Sequence, residues 1–180
     1  MIKRTDSGYT FVEVIGVLGI IGMIAVSSSM LASSVIDRYR KNQVQDEIQT
    51  LQKIISQRYV ADGNFSKVSD ATLISEELLP RYMINGNKIV QPYGEVEIIS
   101  GNLTYGVKFD GLPMASCVAL GTMNWVYTDS SDLISITING KKFEWPIKSK
   151  QDADNALPLS TQQLGKVCER DGNEITWEFQ

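Results

Sequence analysis

The sequence predicts an α+β protein in which one long N-terminal helix packs on an antiparallel β-sheet. Two observations lead to this fold class. The first is a continuous helical pattern, since no glycine or proline occurs between Gly22 and Gly63. The second is a change after Pro92-Tyr93-Gly94 to short alternating segments separated by turn residues, which is typical of β-hairpins.

The first part of the helical pattern is an apolar run from Val14 to Ile36 that carries no charge and has Glu13 at its edge. At about 1.5 Å per residue the run spans roughly 35 Å, enough to cross a hydrocarbon core. A carboxylate beside such a segment is a functional candidate, because an ionisable group in hydrocarbon needs a partner. A cleaved signal peptide is the alternative, since Lys3 and Arg4 precede the run, but the run is long for one.

The second part of the helical pattern is amphipathic. Apolar residues recur every three or four positions, at Val44, Ile48, Leu51, Ile55 and Tyr59. The predicted polar face carries Arg40, Gln43, Asp46, Glu47, Gln49 and Lys53. A short coiled coil would show the same repeat, but packing of this stripe on a core is the interpretation that we favour. The helix is expected to end near the turn cluster at 61–64.

The remaining elements follow from alternation and turn residues. Asn139-Gly140 favours a type I′ turn between two strands. The predicted strands are Glu95–Ser100, Thr104–Phe109, Leu133–Ile138, Lys141–Ile147 and Glu174–Phe179. Before them, residues 62–91 are expected to be irregular. The predicted short helices are Ser75–Leu79, Ser116–Trp125 and Thr161–Val167.

The junction between the short basic leader and the apolar run, Gly8-Tyr9-Thr10-Phe11-Val12-Glu13, resembles the class III signal of type IV prepilins. The resemblance implies that a prepilin peptidase cuts after Gly8 and that Tyr9 becomes an N-methylated N-terminus. It also implies that Glu13 of one subunit pairs with the Tyr9 amine of a neighbour and sets the register of a filament. A carboxylate in a low-dielectric bundle gains most from such a nearby cation.

The resemblance also implies a type IV pilin fold and a division of the chain. The expected parts are a leader over 1–8, an apolar membrane and assembly helix over 9–36, an amphipathic continuation over 37–61, and an antiparallel-sheet head over 62–180. The expected partners are other copies of the chain, the prepilin peptidase and N-methyltransferase, the inner-membrane pilus assembly machinery and, before assembly, the membrane. Basic residues flank the apolar run on both sides, so charge alone does not orient it. The resemblance places the leader in the cytoplasm and the rest outside, finally in an extracellular filament.

Gly16, Gly19 and Gly22 repeat every three residues inside the apolar run. Small residues let helices approach closely, and each glycine also costs about 1 kcal/mol of helix stability. These glycines are therefore expected to serve helix packing, local melting, or both. Many pilins carry a proline in this segment, and this chain has none.

Cys117 and Cys168 are the two cysteines of the chain, and both fall in the part that the resemblance exports. A disulfide between them is the first hypothesis, because disulfides persist outside the cytoplasm. Closing a loop of this size is worth roughly 4 kcal/mol in the chain-entropy model. Their placement resembles the disulfide-bounded region of type IVb pilins, whereas the brief leader is closer to type IVa proteins.

Composition argues against several other functions. The chain has no histidine, which removes His-based catalytic pairs and makes a zinc site improbable, so no cofactor, metal or enzyme activity is expected. A net charge of −4 without a basic cluster gives no indication of nucleic-acid binding. The acid pairs Asp129 with Asp132 and Asp152 with Asp154 leave loop calcium sites as an alternative to solvated charge.

The sequence therefore predicts a structural subunit of a type IV pilus for adhesion, aggregation or conjugal contact. Three alternatives stay open. A minor pilin at the filament tip would share nearly every feature, and a type II secretion pseudopilin would share the leader and Glu13. A membrane-tethered periplasmic binding domain would keep its N-terminus uncut.

Overall fold

A computed structural model describes residues 10–123, 133–144 and 157–180, with the backbone alone for 22–34 and for Val60. The chain divides into two compact units, Met1–Arg40 and Lys41–Gln180, and we call the second the head unit. The leader, Trp125, the strand extension 145–147 and both acid pairs lie outside the described residues.

The long helix predicted from the sequence is present as α1, Phe11–Tyr59, and a 3-10 turn at Val60–Asp62 ends it. The shorter helices are α2, Asp70–Ser75; α3, Met114–Gly121; and α4, Thr161–Val167; a further 3-10 turn covers Arg81–Met83. The bounds of α4 match the prediction, because Ser160 and Gln163 form a capping box at its start.

The helix predicted at Ser75–Leu79 was wrong, since α2 ends where that helix was expected to begin. Ser69 determines the true start, because its hydroxyl accepts a hydrogen bond from the backbone N–H of Thr72. Glu77 adopts a positive φ of 54°, a left-handed conformation that ends a helix.

The described residues form a seven-stranded antiparallel sheet in the order β1-β2-β3-β4-β7-β5-β6. Its strands are β1, Ile84–Asn85; β2, Lys88–Gln91; β3, Gly94–Ile99; β4, Tyr105–Leu112; β5, Leu133–Ile138; β6, Lys141–Glu144; and β7, Asn173–Phe179. The last strand thus lies in the middle of the sheet, where Trp177 stands opposite Val107 on one side and Ile136 on the other. The predicted α+β class is confirmed.

The β1–β2 hairpin falls in the region predicted to be irregular, so that part of the prediction was wrong. Asn85 pairs with Lys88, which leaves a two-residue turn in which Gly86 has a φ of +62°. The turn predicted at Asn139-Gly140 is present. Asn139 and Gly140 have φ of 48° and 80°, as a type I′ turn requires.

The core of the head unit lies between the sheet and the part of α1 that belongs to this unit. Each residue of the predicted apolar stripe of α1 is at most 3% exposed. Aromatic rings from the sheet fill much of the remaining volume, with Phe109 edge-on to Trp177 and Tyr105 stacked near Phe179. The Tyr105 hydroxyl donates a hydrogen bond to the backbone carbonyl of Gln52 at 3.3 Å, which joins β4 to α1.

The prediction was wrong for one residue of the polar face, because Glu47 is 1% exposed and lies in the interior. Its position next to Ile48 and three residues after Val44 puts it on the margin of the apolar stripe. The head unit covers this margin.

Within the described part of the chain, no helix has both the length and the apolar character needed to cross a membrane. The side chains of 22–34, which form the middle of the predicted span, lie outside that part. The membrane span over 9–36 therefore stays a prediction.

Candidate assembly site

The first turn of α1 holds Glu13, the residue expected to direct assembly. Thr10 precedes the helix, and its carbonyl accepts from the N–H groups of Glu13 and Val14. The Glu13 carboxylate accepts in return from the Thr10 N–H at 3.0 Å and from the Thr10 hydroxyl at 3.2 Å. This arrangement satisfies an otherwise free N–H and puts the negative charge at the positive end of the helix. Gly8 and Tyr9 lie outside the described residues.

Glu13 is solvent-exposed, so its carboxylate is open to a partner. Both recorded hydrogen bonds engage one oxygen, Oε2. A carboxylate has about four acceptor sites, so Glu13 can receive a further cation without giving up its contacts with Thr10.

The residues around Glu13 form an exposed apolar surface on α1. Its large side chains are between 45% and 79% exposed: Phe11, Val12, Val14, Ile15, Val17, Leu18, Ile20 and Ile21. Soluble monomers rarely expose contiguous apolar surface of this kind, and such a patch indicates contact with protein or lipid. We call residues 11–21 the apolar segment.

Two of the three predicted packing glycines lie on this segment with free space around them. A Cβ added at Gly16 or Gly19 would meet no atom of the described residues within 4 Å. Contacts with the described residues therefore do not require glycine at either position, and the expected roles in close helix approach or local flexibility stay predictions. Gly22 belongs to α1, with its surroundings outside the described residues.

In the head unit, the structure joins Cys117 and Cys168 by a disulfide across a sequence separation of 51 residues. The bond connects the first turn of α3 to the residue that follows α4. The two helices pack closely, and a Cβ added at Gly121 would collide with the side chain of Leu164. The predicted disulfide and its position in the C-terminal region are confirmed.

Asn173 organises the same region, and the sequence analysis missed it. It is fully buried, and its side-chain amide donates to the carbonyls of Leu112 and Glu169. Its side-chain oxygen accepts from the N–H of Glu169 and from the side chain of Asn139. The only available signal was an asparagine directly before a strand and after Gly172. Asn173 thus ties the end of β4, the loop after α4 and the β5–β6 turn together.

Glu47 is the second residue that the sequence analysis missed. Its Oε1 accepts from the Gln43 side chain at 2.8 Å, whereas its buried Oε2 has no hydrogen-bond partner among the described residues. Burial raises the pKa of Glu47 from 4.5 to about 7, the Gln43 hydrogen bond opposes this rise, and the nearby charge of Asp46 adds to it. The environment thus favours the protonated acid.

The described residues contain no cluster of three or more cysteine or acidic side chains placed to hold a metal ion. Charged side chains on the sheet instead form ion pairs. Lys108 on β4 contacts Glu97 on β3 and Glu174 on β7, and Lys142 on β6 contacts Glu178 on β7 and Glu144 on its own strand.

The chain resembles known pilins in sequence and in fold. No family model matches the chain. The chain is 27% identical over 131 residues to the toxin coregulated pilin of Vibrio cholerae, covering 67% of this chain and 58% of that protein's length. Its fold matches the crystal structure of TcpA, a type IV pilin from the Vibrio cholerae El Tor biotype, with a TM-score of 0.50 and 15% identity. That match covers 79% of this chain and 99% of the other.

The structural match by itself establishes the fold, and the sequence match adds a relation to a pilin over two thirds of the chain. The helix, the antiparallel sheet and the C-terminal disulfide are the features that the sequence analysis expected of this family. The chain thus has a type IV pilin fold and is similar in sequence to a pilin over two thirds of its length.

Proposed function

We propose that this chain is the structural subunit of a type IV pilus, made as an inner-membrane precursor and polymerised into an extracellular filament. The observation that carries the proposal is the apolar segment 11–21 of α1, whose large side chains are mostly exposed in a chain with a pilin fold. Burial against copies of the same segment would remove this surface from water, which is strongly favourable.

The proposed division of the chain is a leader over 1–8, a membrane and assembly helix over 9–36, an amphipathic helix over 37–61 and a head over 62–180. The course of α1, Phe11–Tyr59, supports a single helix across the middle two parts. The burial of its stripe in the head unit supports a packing role for the third part.

The proposed cleavage would create the positive charge with which Glu13 is expected to pair. Cleavage after Gly8 by the prepilin peptidase would leave an ammonium group at Tyr9, which the methyltransferase activity would modify without removing its charge. The Glu13 carboxylate of one subunit would then receive the Tyr9 amine of its neighbour as a further cation. Because both groups would lie in an apolar bundle, a mismatch would leave a charge unpaired, and subunits would assemble in one axial register.

The filament would act mechanically, in attachment, aggregation or conjugal contact, through the surface of its head. Its assembly partners would be the inner-membrane pilus machinery and other copies of the chain. The described residues give no support to a catalytic role, and the pilin family supports a structural one.

Co-expression of the full chain with and without a prepilin peptidase tests the processing step. The proposal predicts a shortened product that begins at Tyr9 and depends on the peptidase. The Gly8→Trp variant should stay full-length, because a bulky side chain blocks the cleavage position. Equal processing of this variant, or no processing of the wild type, would overturn the cleavage assignment.

A further inference from the structure

Three residues of α1 form a charged and aromatic ring directly after its apolar part. Val35 and Ile36 are 64% and 49% exposed, and Arg38, Tyr39 and Arg40 follow them on the exposed helix. Tyr39 is itself 68% exposed. We call residues 38–40 the collar.

The collar residues point to several sides of the helix and are not confined to one face. Successive residues of an α-helix are rotated by about 100°, so Arg38 and Arg40 point in nearly opposite directions with Tyr39 between them. A contact with one protein surface would place the cations three or four residues apart on one side. Cations on opposite sides of the helix instead suit an environment that is the same on every side of the helix.

The cations of the collar have no ion-pair partner in the described part of the chain. Among the described residues, the ion pairs involve other side chains, and neither arginine makes a further contact with them. Asp37 is the neighbouring acid on the helix, so positions 37–40 hold one acidic and two basic side chains. Both guanidinium groups are therefore free to bind an anionic ligand.

We propose that the collar binds anionic phospholipid headgroups at the outer leaflet of the inner membrane while the subunit awaits assembly. This inference rests on the membrane stage of the proposed function. Tyr and Arg at the end of an apolar helix are typical of the headgroup layer, where an aromatic ring lies at the boundary and guanidinium groups bind phosphate. The excess of positive charge on the exported side opposes the usual bias in membrane proteins, and headgroup binding gives this charge a function.

The position of the collar agrees with a headgroup contact. From Val14 to Ile36 the proposed span measures roughly 35 Å, and the collar begins two residues later. The change from exposed valine and isoleucine to exposed arginine thus occurs within one helical turn. This sharp change would fix the depth of the helix in the membrane.

The test uses the full-length chain reconstituted in vesicles of 70% phosphatidylcholine and 30% phosphatidylglycerol. After mild detergent extraction, the two lipids that remain bound are quantified by mass spectrometry. Arg38→Gln with Arg40→Gln removes the collar charge, and Arg38→Lys with Arg40→Lys retains it. Lys53→Gln with Lys67→Gln is the matched control, because it removes the same charge from two exposed positions of the head unit.

Wild type, the lysine variant and the head control should all be enriched in phosphatidylglycerol over the vesicle composition. The collar glutamine variant should lose this enrichment by a factor of about 5 or more, since a single basic residue near an anionic surface contributes about that factor. Lys3 and Arg4 are common to all variants, so the difference between variants isolates the collar.

Unchanged enrichment in the collar glutamine variant would overturn the inference, as would an equal loss in the head control. If the collar variant instead forms few filaments in the host with normal lipid enrichment, the collar binds a neighbouring subunit and not lipid. Resistance of the protein to alkaline extraction from the vesicles is measured in parallel. Extraction of the wild type would contradict the membrane stage of the proposed function, whereas failure of the collar alone would leave that stage intact.

Discussion

Glu13 has a local role in the single chain and a proposed role between chains, and the two roles need different properties of the side chain. The hydrogen bonds from Thr10 require an acceptor oxygen, which glutamine also provides. The proposed pairing with a neighbouring amine requires negative charge, which glutamine lacks. A matched pair of substitutions therefore separates the two roles.

We expect Glu13→Gln and Glu13→Ala both to be processed and both to reduce the yield of sheared filaments at least tenfold. Loss of a buried charge partner in an apolar bundle costs several kcal/mol, far more than the roughly 1 kcal/mol of a lost helix cap. Filament yield is measured by immunoblot of sheared material, with precursor processing as the control. Normal filaments from Glu13→Gln would show that the cap alone matters and would remove the register role.

Glu47 predicts a pH dependence of stability. An acid with a raised folded-state pKa favours the folded state most when it is protonated, below its unfolded value of 4.5. As the pH rises from 4.5 to about 7 this stability is lost, and above about 7 no further loss occurs. A shift of this size corresponds to about 3 kcal/mol of stability across that window.

We therefore expect Glu47→Gln, which keeps the shape without the charge, to be more stable than wild type at pH 8 and similar to it at pH 4.5. Urea unfolding of the chain in mild detergent at several pH values measures this effect. Glu77→Gln is the control, because Glu77 is an exposed acid of the head unit that does not contribute to the pKa shift of Glu47 and should leave the slope nearly unchanged. An unaltered pH dependence in Glu47→Gln would contradict the assignment.

At the scale of elements, α3 and α4 provide a test of close packing with an internal control. A Cβ at Gly121 would collide with Leu164, whereas a Cβ at Gly165 would meet no atom within 4 Å. We expect Gly121→Ala to destabilise the head unit by about 1 to 3 kcal/mol through overpacking. Gly165→Ala should be neutral or stabilise it by up to about 1 kcal/mol, because alanine is the better helix former. Equal denaturation midpoints for the two variants would show that the helices can separate without cost.

The disulfide acts on the same pair of helices. Replacing both cysteines, Cys117→Ser with Cys168→Ser, removes the cross-link over 51 residues. In the chain-entropy model this lowers the free energy of unfolding by roughly 4 kcal/mol, and measured losses are usually between about 2 and 5 kcal/mol. Chemical denaturation of the oxidised wild type and the double variant measures the loss. A difference below about 1 kcal/mol would mean that Asn173 and the helix packing hold this region by themselves.

Elements with a strong local signal were predictable from the sequence. The repeat in α1, the capping box of α4 and the Asn139-Gly140 turn each depend on neighbouring residues, and the structure bears each of them out. The position of β7 between β4 and β5 was not predictable, because long-range pairing determines strand order. The β1–β2 hairpin was missed although Asn85-Gly86 is a turn signal, since β1 has only two residues.

The functional residues also differ in whether the sequence alone predicts their role. The assembly role of Glu13 is predicted from a short motif and stays a prediction. The disulfide was predicted because both cysteines fall in the part expected to be exported, and the structure contains it. Glu47 and Asn173 act through burial, which depends on the assembled sheet and helices. The sequence gives no direct sign of that burial.

At the scale of the whole molecule, the two units differ in how much of their apolar surface is exposed to water. The described part of the first unit exposes its apolar side chains, whereas the head unit buries most of its apolar residues in one core and carries ion pairs on its sheet. A soluble protein of stable fold gains nothing from the first arrangement, but a subunit that passes from membrane to polymer requires it.

The central claim is that this chain is cut after Gly8 and polymerises outside the cell. The intact mass and N-terminal sequence of the chain in sheared surface material of its native host test this claim most directly. We expect a chain that begins at Tyr9, heavier by one methyl group, in a fraction that contains filaments. A chain that begins at Met1 and stays in the membrane fraction would contradict it.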